Sequence, residues 1–113
     1  MKDDAVYLHH ILECIHRIEE DIAEGRERFL ARHTFQDAVL RNLQVLAEST
    51  QRLSGALKET QPTVEWRKIG AFRNILVHDY LGIDLDTIWG ITQSEIPSLK
   101  LAVELMLTVI RPL

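Results

Sequence analysis

The sequence predicts an all-α fold, an up-and-down bundle of four main helices plus one short helix. Leu, Ile, Ala, Glu and Arg, which favour helix, dominate the composition. Apolar residues recur at helical spacing along most of the chain, and no stretch of useful length alternates as a strand would. The 113 residues are 46% hydrophobic and 27% charged, as in ordinary globular proteins. That length favours a single domain over residues 1–113.

The first helix is predicted over residues 4–24. Separations of three and four residues place an apolar stripe on one of its faces: Leu8, Ile11, Ile15, Ile18 and Ile22. Asp3 or Asp4 can cap its start, and Gly25 can end it. The helix is therefore expected to bury one side against the rest of the bundle.

A polar connector is predicted over residues 26–33, with Phe29 and Leu30 turned inwards. A second helix then runs from Thr34 to about Glu59. Its stripe keeps the same spacing: Val39, Leu43, Leu46, Leu53 and Leu57. A helix of that length is typical of a bundle.

The third helix is predicted over residues 64–80. Pro62 breaks the chain before it, Thr63 can cap its start, and Gly82 can cap its end. This helix carries most of the residues that could support chemistry.

Two further helices complete the expected fold. Asp84 or Asp86 can start a short one that runs through Trp89. Ser94 can cap the last helix, with Pro97 in its first turn. The last helix is apolar nearly all round, which favours a central position or a place in a subunit interface.

Charge and cysteine content narrow the possible functions. The net charge is -4, so any binding of nucleic acid must depend on a local basic site or on a partner. The single cysteine, Cys14, excludes an internal disulfide and is in line with a reducing cytosol. No segment reads as a signal peptide or a membrane span, so we expect a cytoplasmic protein with no membrane partner.

The stretch RNILVHDY, residues 73–80, places a cation, an imidazole and a phenol at the end of the third helix. Asn74 and His78 are four residues apart and share a face, whereas Arg73 and His78 point roughly 140° apart at about 100° per residue. Arg73 and His78 could converge on one ligand in either of two ways. The helix could unwind near His78, or two copies could face each other across a two-fold axis.

Arginine and histidine together suit cleavage of RNA without a metal or another cofactor. Arginine binds phosphate through two hydrogen bonds, and histidine can accept and donate protons near neutral pH. The structural alternative is that Arg73, His78 and Tyr80 only cap carbonyls or pair with an acid, such as Asp79 or Asp84. Spacing alone does not decide between the two.

A resemblance adds to this interpretation. Arg73, Asn74, His78 and Tyr80 match the Arg-x4-His-x-Tyr motif of HEPN domains, including the polar residue after the arginine. Their surroundings, WRKIGAFRNILVHDYLGIDLDTIWGI, resemble HepT-type toxins, as do the segments RIEEDI, TFQDAVLRNLQVLAESTQRLS and IPSLK. The resemblance covers roughly residues 5–105.

The resemblance implies a HEPN-like homodimer in which Arg73 and His78 are the catalytic pair and Asn74 supports them. It implies a metal-independent endoribonuclease that leaves 2′,3′-cyclic phosphate ends. The toxin would belong to a type VII-like HEPN/MNT toxin–antitoxin system. An MntA-like nucleotidyltransferase antitoxin would neutralise it by transferring AMP to Tyr80. The alternative is a non-catalytic HEPN dimer that binds and regulates a nucleotidyltransferase partner.

Histidines and tryptophans outside the motif have simpler readings. His10 and Cys14 are four residues apart on the first helix and could hold one edge of a metal site, although no second ligand pair at zinc spacing follows. Packing or surface exposure is the expected role of that part of the helix. Trp66 and Trp89 are expected to fill gaps in the core or in an interface.

The sequence does not decide the roles of the basic residues outside the motif. Arg26, Arg28 and Arg32 form the densest cluster and could touch RNA or the antitoxin, although a solvated loop is the default. Arg41 and Glu48 could reach the cleft, and a salt bridge between helices is an equal alternative.

Overall fold

The computed structural model describes residues 3–110, and of Tyr80 it describes the backbone alone. Within these residues the chain is helical apart from its connecting turns, which confirms the all-α class. There are seven α-helices and one 3-10 turn: α1 (Asp4–Asp21), α2 (Arg26–Ala31), α3 (His33–Gln51), α4 (Gly55–Glu59), α5 (Trp66–His78), the 3-10 turn (Tyr80–Gly82), α6 (Leu85–Gln93) and α7 (Glu95–Ile110).

The four long helices, α1, α3, α5 and α7, correspond to the four main helices expected from the sequence. Helix α1 lies between α3 and α7, and α5 packs mainly against the far side of α3. Helix α6 packs against α7 and α2. The helix that carries the motif therefore lies at one edge of the bundle, where much of its surface faces solvent.

Helix α1 forms as its sequence predicts. The carboxylate of Asp3 accepts a hydrogen bond from the Ala5 N–H at 3.0 Å and so caps the helix. The apolar stripe faces inwards, with Leu8, Ile11, Ile15 and Ile18 fully buried. The helix ends at Asp21, three residues before the predicted end, and Gly25 with φ of 94° instead precedes α2.

The predicted connector over residues 26–33 is wrong in its secondary structure, because α2 forms there. The expected inward turn of Phe29 is confirmed: its ring is buried 5.6 Å from the ring of Trp89. The Gln36 side chain donates to the carbonyls of Phe29 and Leu30 at 3.0 and 3.1 Å. These bonds satisfy carbonyls that a helix this short leaves open.

The predicted second helix, continuous from Thr34 to about Glu59, is also wrong, because α3 ends at Gln51 and α4 starts at Gly55. Ser54 caps α4 by accepting from the Leu57 N–H at 3.3 Å. Asp4 of α1 fixes this break by accepting from the Ser54 N–H at 2.9 Å and from the Ser54 hydroxyl at 2.7 Å. The break lets the chain turn towards α5.

Helix α5 is shorter at both ends than the predicted span of 64–80. It starts at Trp66, whose indole N–H donates to the carbonyls of Lys58 and Gln61 at 3.2 and 3.3 Å. It ends at His78, so the position predicted as its last residue, Tyr80, belongs to the 3-10 turn. Gly82 ends that turn and not the helix itself.

The last two helices follow the prediction more closely. Asp84 caps α6 by accepting from the Asp86 N–H at 3.1 Å, and α6 runs four residues past Trp89. Ser94 ends α6, with its hydroxyl donating to the Gly90 carbonyl at 3.0 Å. Helix α7 buries one face and leaves an apolar stripe on the other: Leu101, Leu105 and Val109. None of the helices among residues 3–110 combines the length and apolarity needed to cross a bilayer.

Candidate functional site

Helix α5 carries the motif on an edge with little burial. Of its residues only Leu76 is fully buried, where it reaches the core beneath α3. Asn74 and His78 are exposed, as expected for two residues four apart on one face. Arg73 points instead towards α3 and is half-buried. One protomer therefore presents the two predicted catalytic side chains in different directions.

Arg73 is held by an ion pair between helices. Its Nη2 lies 3.4 Å from Oε1 of Glu48 on α3, and its Nη1 donates to Oδ1 of Asn74 at 3.3 Å. Both bonds are long for a guanidinium. The Nε atom is buried and has no hydrogen-bond partner within the described structure. A phosphate could therefore replace the long bonds of the two Nη atoms, whereas the buried Nε is out of its reach.

Glu48 is positioned by its own neighbours on α3. Gln44 lies one turn earlier and donates from Nε2 to Oε1 of Glu48 at 3.2 Å. The same carboxylate oxygen therefore receives a side-chain amide and the guanidinium of Arg73. The sequence left two alternatives for Glu48, a place in the cleft or a salt bridge between helices. The structure shows the salt bridge, and its partner is the candidate catalytic residue Arg73.

Asn74 supports Arg73 and not His78. Its Oδ1 accepts from Arg73, whereas no hydrogen bond joins Asn74 or Arg73 to His78 among the described side chains. Within one protomer, Asn74 therefore contacts only the arginine of the expected catalytic pair. His78 is the last residue of α5, and its exposed imidazole is free to meet a ligand or a second chain.

The two acids expected for a purely structural role, Asp79 and Asp84, do not contact the motif arginine or histidine in the described chain. Asp84 accepts from the Asp86 N–H and from the Thr87 hydroxyl, at 3.1 and 2.9 Å. The carboxylate of Asp79 folds back over the 3-10 turn, where its Oδ1 lies 2.8 Å from the point that a Cβ on Gly82 would occupy. Neither acid pairs with an atom of Arg73 or His78 in the described part of the chain. The structural alternative nevertheless keeps an acid partner for Arg73, namely Glu48, whereas His78 has none among the described residues.

The predicted AMP acceptor, Tyr80, follows α5 directly. Its backbone opens the 3-10 turn, two residues after His78. Its side chain lies outside the described structure, so the predicted role of its hydroxyl remains a prediction.

Two open cavities flank Arg73 along the groove between α3 and α5. The first has a volume of about 170 Å³, and its lining consists of Asp37, Leu40, Arg41, Gln44 and Leu76. The second has a volume of about 530 Å³, and its lining consists of Gln51, Lys58, Trp66, Arg67 and Gly70. Sequence reasoning missed Lys58, Arg67 and Gly70, because the turns between α4 and α5 decide their proximity.

Most other candidate residues have structural roles. Arg26 pairs with Asp86, and Arg28 pairs with Glu24 at 3.4 Å. Arg32 is exposed at the start of α3. Trp66 and Trp89 both pack against the core, as predicted.

Cys14 is buried and His10 is exposed, so the two do not form one edge of a metal site. His10 instead lies edge-on to the ring of Tyr7, at 6.3 Å between centroids. No group of three or more potential metal-binding side chains occurs in the described residues. On α1, Cys14 therefore packs in the core and His10 lies on the surface.

Comparison with known proteins gives consistent matches. The family model described as "Ribonuclease HepT-like" matches residues 11–106. A "Probable ribonuclease HepT" of Thermococcus cleftensis is 36% identical over 95 residues, which cover 83% of this chain and 86% of that protein. A "Putative RNase" of Methanocaldococcus jannaschii is 29% identical over 106 residues, or 93% of this chain and 97% of that protein. No solved structure gives a significant match.

A longer relative shows the same domain in another context. The "Gamma-glutamylcyclotransferase and putative RNase" of Methanocaldococcus jannaschii is 35% identical over 100 residues, which are 88% of this chain. The chain spans only 45% of that protein. The helical fold, the motif on α5 and the family match over residues 11–106 agree with one another. The chain is a HepT-type HEPN protein and belongs to the HepT-like ribonuclease family.

Proposed function

We propose that this chain is a metal-independent endoribonuclease, the toxin of a type VII-like HEPN/MNT toxin–antitoxin system that acts in the cytoplasm. The observation that carries the proposal is the state of Arg73 and His78. The Nη atoms of Arg73 make only long hydrogen bonds, and His78 is exposed without a structural partner in the described chain. The names of the relatives, ribonuclease or RNase, support the same activity.

A homodimer is part of the proposal, because one protomer does not bring Arg73 and His78 together. Exposed apolar residues lie within three positions of His78 in the chain: Ile75 is 48% exposed, Val77 is 37% exposed and Leu81 is 97% exposed. Exposed apolar residues next to a polar site are typical of an interface. A two-fold axis at this patch would present two arginines and two histidines to one RNA strand.

The proposed reaction needs only these groups. One His78 accepts the proton of the 2′-hydroxyl, whose oxygen attacks the adjacent phosphorus. The bond from phosphorus to the 5′-oxygen breaks, and the second His78 donates a proton to that oxygen. Arg73 stabilises the negative charge that builds up on the phosphate. The products are a 2′,3′-cyclic phosphate and a 5′-hydroxyl.

Regulation of the proposed enzyme would act through Tyr80. An MntA-like nucleotidyltransferase antitoxin would transfer AMP from ATP to its hydroxyl and release pyrophosphate. The adduct adds a phosphate two residues from His78, and this negative charge would repel RNA. Exposure of the 3-10 turn at Leu81 and Gly82 supports access of a modifying enzyme to this segment.

The test is cleavage of total cellular RNA by purified dimer in EDTA. We expect wild type to cleave and His78→Ala to lose at least about a hundredfold in rate, the lower bound for loss of an acid–base group. His16→Ala, which replaces an exposed histidine on α1, is the matched control and should retain activity. A strict requirement for magnesium would contradict the proposal.

The second candidate, a non-catalytic dimer that regulates a nucleotidyltransferase, has one observation in its favour. Glu48 already neutralises Arg73 in the protomer. That candidate predicts AMP on Tyr80, detected by mass spectrometry, together with no RNA cleavage by the unmodified dimer. It also predicts that overexpression does not arrest growth.

A further inference from the structure

Half of the described lysines and arginines outside the motif are neutralised by acids, in a chain with a net charge of -4. The pairs outside the motif are Arg17–Glu13, Arg26–Asp86, Arg28–Glu24, Lys68–Glu65 and Lys100–Glu19. Five other cations have no carboxylate partner among residues 3–110: Arg32, Arg41, Arg52, Lys58 and Arg67. Of these, Lys58 and Arg67 line the same cavity of about 530 Å³. Two unpaired cations therefore share one concave site on the side of α5.

The cavity keeps its cations in place. Trp66 is fixed through its indole N–H, and the Nζ atom of Lys58 lies 5.9 Å from the centre of its ring. This cation–π contact holds the ammonium over the cavity while leaving its hydrogen-bond donors available. Arg67 is exposed in the first turn of α5, where the helix dipole also favours an anion.

The cavity lies close to Arg73 along α5, because Gly70, which lines the cavity, is one turn before Arg73. A Cβ on Gly70 would come within 3.0 Å of Nε2 of Gln51, so α5 packs closely against α3 at this point. Arg67 and Arg73 are six residues apart, which is about 9 Å along the helix axis and about 120° around it. A single strand that crosses the surface of α5 could contact both.

We propose that Lys58 and Arg67 form a subsite for an RNA phosphate that is not the one cleaved. The subsite rests on the proposed ribonuclease function and deepens it, because it specifies a substrate that extends beyond the scissile phosphate across the surface of α5. Two unpaired cations at a concave site favour a phosphate strand, since phosphate contacts dominate the affinity of proteins for nucleic acid. Gln51 can add a donor to the same ligand.

Substrate length provides the test. We compare wild type with the double variant Lys58→Gln/Arg67→Gln on a dinucleotide, which has one phosphate, and on a single-stranded RNA of about ten nucleotides. The matched control is Arg32→Gln/Arg52→Gln, which removes two exposed cations that also lack a carboxylate partner in the described chain and do not line the cavity. Circular dichroism and light scattering confirm that each variant is folded and dimeric.

The subsite predicts a length-dependent defect. On the longer RNA the cavity variant should raise KM roughly tenfold and leave kcat within about twofold, because the lost contacts bind substrate and transition state equally. On the dinucleotide it should match wild type. For a 2′-O-methyl RNA, which has no nucleophilic hydroxyl, the slope of log Kd against log salt should fall by about 1.4.

Three results would overturn the subsite. Equal KM values for the cavity variant and the control on the longer RNA would refute it, while His78-dependent cleavage by wild type would leave the proposed function intact. If wild type neither cleaves nor binds RNA, both proposals fail. Binding of a peptide of consecutive glutamates, lost in the cavity variant while RNA binding is kept, would assign the cavity to an acidic protein partner instead.

Discussion

Glu48 on α3 and Arg73 on α5 form an ion pair across the groove, with 3.4 Å between Oε1 and Nη2. The pair places a negative charge beside the guanidinium that is expected to bind phosphate. Arg73 is thereby kept in one position before RNA arrives, at the expense of some attraction for RNA. An incoming phosphate would compete with the carboxylate for the guanidinium.

Replacing Glu48 tests this competition. Glu48→Gln should tighten binding of 2′-O-methyl RNA by roughly threefold to tenfold, since it removes one negative charge close to the strand. Stability should change by less than about 1 kcal/mol, because partly exposed ion pairs contribute little. Fluorescence anisotropy measures the affinity. Glu13→Gln, which breaks an exposed pair with Arg17 on α1, serves as control and should leave the affinity unchanged.

Tyr80→Phe should separate regulation from cleavage. The variant lacks the hydroxyl that would accept AMP, so co-expression with the antitoxin should leave its mass unchanged while wild type gains one or more AMP groups. Its RNase activity should remain within about threefold of wild type, because the proposed acid and base are both His78. Loss of cleavage by a folded Tyr80→Phe dimer would make Tyr80 a catalytic residue.

Asp4→Ala should destabilise the fold by about 1–3 kcal/mol. The substitution removes two hydrogen bonds from a carboxylate to Ser54, which hold the break between α3 and α4 against α1. Urea denaturation at a fixed protomer concentration measures the loss. Glu104→Ala, at an exposed position of α7, should change stability by less than about 0.5 kcal/mol. Equal effects of the two variants would show that the contact to Ser54 contributes nothing.

Asp21→Asn should stabilise the protein at neutral pH. Burial raises the pKa of Asp21, and the nearby charge of Glu20 raises it further. Asp21 is also the last residue of α1, where a negative charge opposes the helix dipole. A raised pKa means that the folded state holds the proton more tightly, so ionisation of Asp21 lowers stability as the pH rises through that pKa.

The expected gain for Asp21→Asn is about 0.3–1 kcal/mol at pH 7. It should shrink as the pH falls through the raised pKa and vanish below the ordinary aspartate range, near pH 4, where the wild-type side chain is also neutral. Thermal unfolding of both proteins over a pH series measures this. A gain that stays constant down to pH 3 would assign the effect to something other than charge.

Cys14 should be unreactive in the folded protein. Its side chain is 6% exposed, and burial raises the pKa of the thiol, so little thiolate is available. A colorimetric thiol reagent at pH 8 should label it only after denaturant is added. Rapid labelling of the native protein would indicate that α1 opens readily from α3.

The sequence could predict the fold class and the main helices because these depend on local spacing. The stripe on α1, the caps by Asp3 and Asp84, and the motif on α5 are all examples. The break after α3 could not be predicted in this way. Leu53 and Leu57 continue the apolar spacing across it, while the bonds that fix it come from Asp4, 50 residues away.

In the candidate site, too, features that depend on local spacing could be predicted and contacts between distant residues could not. Arg73, Asn74 and His78 lie within one helix, so their relative directions follow from helical geometry. The sequence did not identify the residue that pairs with Arg73, because Glu48 lies 25 residues earlier on another helix. Lys58 and Arg67 gave no signal at all, since each reads as part of an ordinary solvated face until the turns before α5 bring them together.

The limited burial of α5 affects how the activity should depend on the concentration of the protein. A helix with Leu76 as its only fully buried residue is weakly anchored, and its amide hydrogens should exchange with solvent sooner than those of α1. Under the proposed arrangement, a second copy both completes the site and covers this helix. Activity would then rise more steeply than in proportion to the amount of protein. A cell could tolerate a few unmodified chains and still be arrested by a modest excess.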